Sequence, residues 1–423
     1  MPSDAKHVLN SDDVRTLRDL AWRVLEISKD PIMAERRRLW LKHASLKGER
    51  PMILAETGGV LDELIPIASL RCTEDWARGL ERGLRNTIFM HERVNDDSVI
   101  TPAVSYNWHV NTGDYGVQPT RYSTTNEGKL ASYRWDPPLR NLREDFAKLR
   151  PRSFSVDREA MLPWKKTLEE VFGGILDVKL RGGFWWTLGM TWTAINLIGL
   201  EGLMLYMYDD PDGLHRLMAF LRDDHMTMIE WFEREGLLSL NNENDYVGSG
   251  SLGYTAELPK PGHKPGQPAR LKDLWVLSES QETVGVSPEM FGEFIFPYQL
   301  PLMMKFGLAY YGCCEPVHAR WGLLATIPNL RKVSVSPWCD QKVMAEACAG
   351  RCIFCRKPNP EQVSKPSFDE AAIREDLRTT LRIARNCSVE LVMKDVHTVA
   401  EQPDRLGRWV QLARETIAET WQG

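Results

Sequence analysis

Apolar residues near the start of the chain follow a helical pattern. They recur at three- and four-residue intervals across residues 14–25, directly after the capping signal Ser11-Asp12-Asp13. This spacing predicts an amphipathic helix. A second helix is predicted for residues 31–46 and carries a very basic face. We therefore expect residues 1–50 to form an N-terminal helical extension that packs on a larger body.

From residue 51 onward, short apolar runs alternate with amphipathic helices, the pattern typical of β/α units around a parallel sheet. Two polar segments, near residues 110–160 and 256–272, are expected to be insertions or loops. The clearest predicted strands cover residues 177–180, 237–240, 274–277, 308–311, 332–335, 352–354 and 389–393. The clearest predicted helices cover residues 211–235, 288–306, 317–327, 368–386 and 404–421.

Each of the later apolar runs ends in a cluster of polar residues. In β/α barrels the chemistry is carried at the carboxyl ends of the strands. A glycine-rich phosphate turn after an early strand would favour a doubly wound sheet, and the sequence lacks one. We therefore predict an α/β fold in which residues 51–423 form a (β/α)8 TIM-type barrel.

Composition narrows the classes of function. The chain has 53 Lys+Arg against 58 Asp+Glu, a net charge of −5, which argues against a nucleic-acid partner or an anionic membrane. Eight clustered cysteines in 423 residues are too few for a disulfide scaffold, and the N-terminus does not resemble a signal peptide. The run 187–208 reaches membrane length but is interrupted by polar residues and glycines. We expect a cytoplasmic protein with reduced thiols.

The strongest local signal is Tyr310-Tyr-Gly-Cys-Cys-Glu-Pro-Val-His318. Thiolate, carboxylate and imidazole are ligands of Zn²⁺, and three protein ligands with an open fourth position make a Lewis-acid site. Strand pleating should point Cys313 and Cys314 in opposite directions, so that one of them faces the site; we assign Cys314. Alternatively, Cys313 packs inside the barrel while Glu315 and His318 cap or pair locally.

The last predicted strand ends in Lys394-Asp-Val-His397. In an extended chain Asp395 and His397 lie on one face, opposite Lys394. Because the strand ends of a closed barrel converge, His397 is expected to complete a metal site with Cys314 and Glu315. The alternative is a strand-end histidine that bonds a carbonyl group.

Two motifs resemble cofactor sites and are rejected. Asp395-x-His397-x-x-Ala400 nearly matches the signature of corrinoid-binding domains, but only 26 residues follow His397, too few for the rest of such a domain. Cys348-x₃-Cys352-x₂-Cys355 has the spacing of a radical S-adenosylmethionine iron–sulfur loop. Only 68 residues follow Cys355, too few for the barrel that this loop normally opens, so we expect core thiols.

Further polar and aromatic residues near predicted strand ends are candidates for substrate binding or acid–base catalysis. Each has a plainer alternative, because strand-end polar residues often cap the next helix and tryptophans are mostly core or rim. The candidates are Asn244, Asp245, Gln281, Glu282 and His109, together with Trp185, Trp186 and Trp338 as walls of a pocket for a flat ligand.

Several longer stretches resemble the uroporphyrinogen decarboxylase-like superfamily, and more narrowly its branch related to corrinoid-dependent methyltransferases. The resemblance covers about residues 270–415. The stretches are Ser287-Pro-Glu-Met-Phe291, Phe306-Gly-Leu, Tyr311-Gly-Cys-Cys-Glu-Pro-Val-His318, Ile327-Pro-Asn-Leu-Arg-Lys-Val-Ser-Val-Ser-Pro-Trp338 and Arg356-Lys-Pro-Asn-Pro360. The stretch Glu49–Thr57 stands where authentic decarboxylases carry an Arg-rich motif, which argues against porphyrinogen decarboxylation.

The resemblance implies a methyltransferase that moves a methyl group between a small methylated substrate and a separate corrinoid protein. The related methyltransferases bind zinc through His-x-Cys at one strand end and a Cys near the last strand. This sequence offers Gly312-x-Cys314 with Glu315, and then His397, so one ligand position matches. In this hypothesis Zn²⁺ polarises the heteroatom that carries the methyl group.

The remaining residues receive supporting roles in the same hypothesis. Asp395, His318 and Glu282 would orient ligands or manage protons. The expected substrate-binding residues are His109, Asn244, Asp245, Gln281, Trp338 and Lys394.

Two other functions stay open. One is a metal-independent lyase or decarboxylase that binds a carboxylated substrate through Lys394, Arg356 and Lys357. The other is a non-catalytic barrel that sequesters a corrinoid or another tetrapyrrole. A homodimer is possible, because barrels of this superfamily often pair.

Overall fold

The computed structural model describes residues 10–123, 133–182 and 186–421. These residues form a mixed α/β structure, which confirms the predicted class. Strands β1 to β12 cover Met52–Ala55, Ala103–Asn107, His109–Thr112, Thr120–Ser123, Tyr133–Asp136, Phe154–Asp157, Asp177–Arg181, Trp275–Ser278, Leu308–Tyr311, Leu330–Val335, Ile353–Arg356 and Ser388–Met393. Helices α1 to α16 cover Ser11–Ser28, Pro31–Ala44, Leu61–Leu64, Asp75–Phe89, Leu142–Asp145, Met161–Phe172, Thr191–Ile198, Leu200–Asp209, Pro211–Arg234, Pro288–Phe294, Phe296–Met303, Trp321–Leu324, Gln341–Cys348, Glu361–Ser364, Glu370–Ile383 and Arg405–Thr420.

The centre of the molecule is a parallel sheet with the strand order β1-β12-β11-β10-β9-β8. Its register runs without a break from Met52↔Glu390 to Ala55↔Met393 between β1 and β12, and all five neighbouring pairs are parallel. The carboxyl ends of the six strands therefore lie along one edge. That edge carries most of the residues singled out from the sequence.

The sheet is curved at its carboxyl edge. Cys313 follows β9 and Lys394 follows β12, and their Sγ and Nζ atoms lie 3.5 Å apart although β10 and β11 stand between the two strands. In a flat sheet the two strands would be separated by about 14 Å. The sheet therefore curls towards the face that these side chains share, as the wall of a barrel does.

Closure of this wall into the predicted eight-stranded barrel is not confirmed. Strands β2 and β7 form a separate parallel pair. Single hydrogen bonds link the segment before β2 to β1 of the sheet and the residue after β7 to the segment 237–240. Asp97 N donates to Ile53 O over 2.8 Å, and Ser239 N donates to Gly182 O over 3.1 Å. The predicted strand at 237–240 is wrong, because Asn241 bridges to the backbone of Trp275 with its side chain and no backbone ladder forms there.

The two predicted N-terminal helices are present as α1 and α2. The side chain of Asp30 caps α2 by accepting a hydrogen bond from Ile32 N over 2.9 Å, and a proline follows at the first helical position. Trp40 of α2 is 1% exposed, and its Nε1 donates to Asp97 O over 2.8 Å. Its ring stacks on Tyr254 with centroids 6.4 Å apart. The extension thus packs on the body as expected, while its separation as a unit of its own stays a prediction.

The segment 110–160 is more regular than its polar sequence predicts. It contains two antiparallel strand pairs, β3 with β6 and β4 with β5, and the short helix α5. Local strand pairing satisfies the backbone polar groups there, and Phe154-Ser-Val-Asp157 of β6 alternates between half-buried apolar and exposed polar residues. In the segment 256–272 the structure has one short turn of 3₁₀ helix, which starts at Leu271, in agreement with a loop.

The long, weakly charged run 187–208 holds the short helices α7 and α8. They are separated at Gly199, whose φ of +79° ends the first helix. Across the part of the chain that the structure describes, helices lack the combination of length and apolar composition needed to span a bilayer.

Candidate functional site

Four side chains meet at the carboxyl ends of β9 and β12, and we call them the mouth cluster: Cys313, Cys314, Lys394 and Asp395. The two Sγ atoms lie 3.5 Å apart, and the thiol of Cys314 donates to Asp395 Oδ2 over 3.5 Å. Lys394 Nζ completes the ring, 3.5 Å from Cys313 Sγ and 3.4 Å from Asp395 Oδ2. Cys313 and Lys394 are buried, whereas Cys314 is half-buried and Asp395 is exposed. Solvent can therefore reach one side of the ring.

Backbone turns bring these residues together. Gly312 has a φ of +93° directly after β9, so Cys313 and Cys314 no longer belong to an extended strand. The expectation that pleating separates the two thiols is therefore wrong. Asp395, with a φ of +58°, likewise leaves the extended conformation. Lys394 and Asp395 consequently lie side by side, and the predicted alternation along residues 394–397 is wrong too.

The cluster favours a thiolate beside an ammonium group. The hydrogen bond from Cys314 and the nearby charge of Lys394 lower the pKa of Cys313 to about 7, although burial opposes this shift. Burial also acts to lower the pKa of Lys394, but Cys313 and Asp395 outweigh it and the pKa is raised. The pKa of Cys314 is raised, first by its hydrogen bond to Cys313 and then by burial. Near neutral pH, Cys313 can therefore carry a negative charge beside Lys394.

Glu56 lies beside the cluster and was missed in the sequence. Burial raises its pKa, while the charge of Lys394 opposes that rise, and its Oε1 atom has no hydrogen-bond partner. A signal was present, because Met52 and Leu54 of β1 belong to the inner core and a period of two places Glu56 on the same face.

Glu315 connects two loops through its carboxylate. It is 1% exposed, and its two oxygens accept hydrogen bonds from Ser280 N and Cys313 N, each over 2.9 Å. The loops after β8 and β9 are thereby tied together. Both oxygens of this predicted metal ligand thus already hold backbone N–H groups.

The two histidines lie apart from the thiols. His397 is exposed, and its ring lies against Gly59, where an added Cβ would meet Nδ1 at 3.3 Å. His318 Nδ1 accepts a hydrogen bond from Asp340 N over 3.2 Å, at the start of α13. Within the described residues, no three His, Cys, Asp or Glu side chains are placed to hold a metal ion. The donor set Cys314, Glu315 and His397 does not fit zinc in this arrangement.

Two further carboxyl groups lie after β8. Glu279 is fully buried; its Oε2 accepts from Gln281 N over 3.0 Å, whereas its Oε1 has no partner. Burial, together with the charges of Glu282 and Glu315, raises the pKa of Glu279 well above the usual range. Burial also raises the pKa of Glu282, which accepts a hydrogen bond from Thr191 Oγ1 over 2.6 Å. Both can act as proton donors, and Glu279 was missed although it opens the polar cluster after β8.

Most of the expected substrate-binding residues lie elsewhere or have structural partners. Asp245 pairs with Arg181 over 2.5 Å. His109 Nε2, on β3, lies 3.3 Å from Asn111 Oδ1. Trp338 is 69% exposed. The role of these residues stays a prediction, as it does for Asn244, Gln281 and Trp186, and Trp185 lies outside the described residues.

The cysteine motif with iron–sulfur spacing is divided between two layers. The sulfur of Cys355 lies 3.0 Å from Glu390 Oε2. Cys355 belongs to the inner core, the hydrophobic cluster on the sheet face that also holds Met52, Leu54 and Tyr310. Cys348 and Cys352 belong to the outer core between the sheet and its helices. This division agrees with the interpretation as core thiols.

Comparison with known proteins gives little further constraint. No family model matches the chain, and no curated protein matches it. Among solved structures it is similar to a methyltransferase from Methanosarcina mazei, at 10% sequence identity and a TM-score of 0.45. The match covers 90% of this chain and 97% of that chain. Such a distant likeness identifies neither substrate nor cofactor, and the relation to uroporphyrinogen decarboxylase-like proteins stays a prediction.

Proposed function

We propose that this protein is a methyltransferase that moves a methyl group between a small methylated substrate and a separate corrinoid protein. The sequence resemblance supports this function. The observation that carries it furthest is the mouth cluster, where Lys394 Nζ lies 3.5 Å from Cys313 Sγ at a solvent-accessible strand edge. A buried ammonium group beside polarizable thiols is suited to a reaction in which a heteroatom gains negative charge.

In this proposal Lys394 performs the task that the sequence assigned to zinc. When the bond between methyl carbon and heteroatom breaks, the electron pair stays on the heteroatom, which becomes negative. The Lys394 ammonium would donate a hydrogen bond to that atom and stabilise the charge. Asp395 holds the ammonium in place over 3.4 Å, so its role is to position Lys394.

The methyl group would be taken up by a nucleophile that the corrinoid of the partner protein supplies. The role of this chain is then to bind the methylated substrate, orient it and protect the leaving heteroatom from unproductive contacts. Burial and the charge of Glu315 both act to raise the pKa of Glu279 and of Glu282, and in this proposal the two carboxyl groups would donate protons. They would serve a substrate whose leaving group needs a full proton.

The metal-independent lyase or decarboxylase is less well supported. Of the three cations that it requires, Arg356 donates to Ser336 O over 2.7 Å. Lys357 Nζ lies 2.5 Å from Tyr310 Oη and 2.9 Å from Cys355 Sγ. All three side chains are buried, but Lys394 belongs to the mouth cluster, which solvent reaches on one side, so it is the cation best placed to bind a substrate carboxylate.

The test is a methyl-transfer assay with a panel of methylated ethers, amines and thiols and a corrinoid acceptor. Lys394→Met should lower kcat/KM by about 100-fold, because the leaving group loses its charge-stabilising donor. Lys394→Arg should restore part of the rate. Lys342→Met, a change on α13 outside the mouth cluster, is the matched control and should keep the wild-type rate.

Other outcomes would decide against the proposal. Wild-type rates in Lys394→Met would remove Lys394 from the mechanism. Release of carbon dioxide from a carboxylated substrate would favour the decarboxylase. Tight corrinoid binding without turnover would favour the binding barrel.

A further inference from the structure

We propose that Cys313 and Cys314 act together as a dithiol that binds monosubstituted trivalent arsenicals. Their Sγ atoms lie 3.5 Å apart on adjacent residues, and the turn at Gly312 presents both sulfurs to the same space. Two donors fixed in this way lose little freedom when one ligand bridges them. Neither the sequence comparison nor the proposed methyl transfer assigns this pair such a ligand.

The ligand class follows from what surrounds the sulfurs. A tetrahedral zinc ion with Zn–S bonds of ~2.3 Å holds two sulfurs roughly 3.8 Å apart, but it needs two more ligands. The neighbours here are the ammonium of Lys394, which has no lone pair to offer, and the carboxylates of Asp395 and Glu56. In the part of the chain that the structure describes, no three His, Cys, Asp or Glu side chains are placed to hold a metal ion. An ion that binds two sulfurs on opposite sides would hold them much farther apart. A trivalent arsenic atom that already carries one organic substituent needs only two sulfurs and leaves its third position outside the protein.

Access and proton transfer both fit this ligand. Cys313 is 3% exposed, whereas Cys314 is half-buried, so the organic substituent would point towards solvent on the Cys314 side. With phenylarsine oxide, the bond between arsenic and oxygen breaks and two As–S bonds form. The two thiol protons leave with the oxygen as one water molecule, and arsenic stays trivalent, so no oxidant is needed. Asp395 accepts from the Cys314 thiol, and Lys394 is a donor beside Cys313.

The experiment uses reduced full-length protein, with all eight thiols verified by titration after denaturation, and phenylarsine oxide as the probe. Native mass spectrometry should show one adduct per wild-type chain. The adduct should be reversed by excess dithiol and persist in the same concentration of monothiol. Cys313→Ser and Cys314→Ser should each weaken binding by at least about 100-fold, because a bidentate ligand becomes monodentate.

The matched control is a second thiol pair, in which Cys348 hydrogen-bonds to Cys352. Cys352→Ser should keep wild-type affinity. Circular dichroism on every variant separates lost binding from lost folding, and the conservative Cys→Ala changes at 313 and 314 serve if a serine variant unfolds. No adduct on folded wild-type protein, or wild-type affinity in folded Cys313 or Cys314 variants, would overturn the proposal. These outcomes are independent of whether the protein transfers methyl groups.

Discussion

Two fully buried glutamates in this fold have opposite surroundings. Glu390, on β12, contacts Lys332 Nζ at 3.0 Å, His43 Nε2 at 3.3 Å, Ser251 Oγ at 2.6 Å and Cys355 Sγ at 3.0 Å. Burial acts to raise its pKa, but Lys332 and His43 outweigh it and hold the pKa well below the usual range.

Glu279, at the carboxyl end of β8, has one bonded oxygen and one unpartnered oxygen, and its nearest charges are other carboxylates. Its pKa is therefore raised. The two glutamates therefore differ in whether nearby positive groups compensate the charge of the buried carboxylate. Buried groups whose charge is not compensated concentrate at functional sites, so Glu279 is a candidate functional residue, whereas Glu390 is compensated within the core.

The largest expected effect comes from Glu390→Gln. The change leaves the Lys332 ammonium, 1% exposed, without its anionic partner, and we expect the free energy of unfolding at pH 7 to fall by about 3–5 kcal/mol. Urea unfolding measures it. The control is Glu361→Gln, which breaks the exposed pair with Lys365 at 2.9 Å and should cost less than about 0.5 kcal/mol. Equal decreases in the free energy of unfolding in the two variants would show that the buried contacts of Glu390 stabilise the fold no more than an exposed ion pair does.

Lowering the pH should reduce the difference in the free energy of unfolding between wild type and Glu390→Gln. The pKa of Glu390 is lowered in the folded state, so its contribution is fully present above the unfolded pKa of about 4.3 and is lost as pH falls below it. The stability gap between wild type and Glu390→Gln should therefore narrow below about pH 4. Unfolding curves between pH 3 and pH 7 test this, and a gap that widens with acid would contradict the assigned charge state.

Glu279→Gln should change the free energy of unfolding in the opposite direction, and by less, than Glu390→Gln does. Because the folded-state pKa of Glu279 is raised, wild-type stability declines as pH rises from about 4.3 towards that pKa. The neutral amide of Gln removes this loss. We expect the free energy of unfolding of Glu279→Gln to exceed that of wild type by roughly 1 kcal/mol at pH 8 and to equal it near pH 4. If Glu279 donates a proton in catalysis, the same variant loses activity while gaining stability. If Glu279→Gln were less stable than wild type at pH 8, the Glu279 carboxylate would have a favourable partner in the folded protein, and the raised pKa would be contradicted.

The smallest expected effect concerns metal content. Both Glu315 oxygens hold backbone N–H groups and His397 lies against Gly59, so Cys314→Ala and His397→Ala should leave the zinc content of tag-free protein unchanged. Elemental analysis measures zinc per chain. One zinc per chain that disappears in both variants would contradict the arrangement seen here and restore the three-ligand site.

Much of the α/β core could be predicted from the sequence. Helix α9 starts at Pro211 behind the capping side chain of Asp210 and ends at Arg234, within one residue of its prediction. Strand β12 shows the same agreement, because a run of buried apolar residues and a following polar cluster are local signals. The segment 110–160 escaped prediction, since each of its four paired strands has only four residues, too few for the alternation in β6 to stand out from its surroundings.

The candidate site divides in a similar way. The amino-acid pattern by itself determined that thiols, carboxylates and a lysine follow the strands β8, β9 and β12, because strand ends are marked along the chain. Only the tertiary structure decided which of them meet. The backbone turns with positive φ at Gly312 and Asp395 bring Cys313 and Lys394 together. The carboxylate of Glu315 accepts hydrogen bonds from two backbone N–H groups instead of facing a metal. Hydrogen bonds between residues distant in sequence, and the curvature that allows them, leave no periodic trace in the chain.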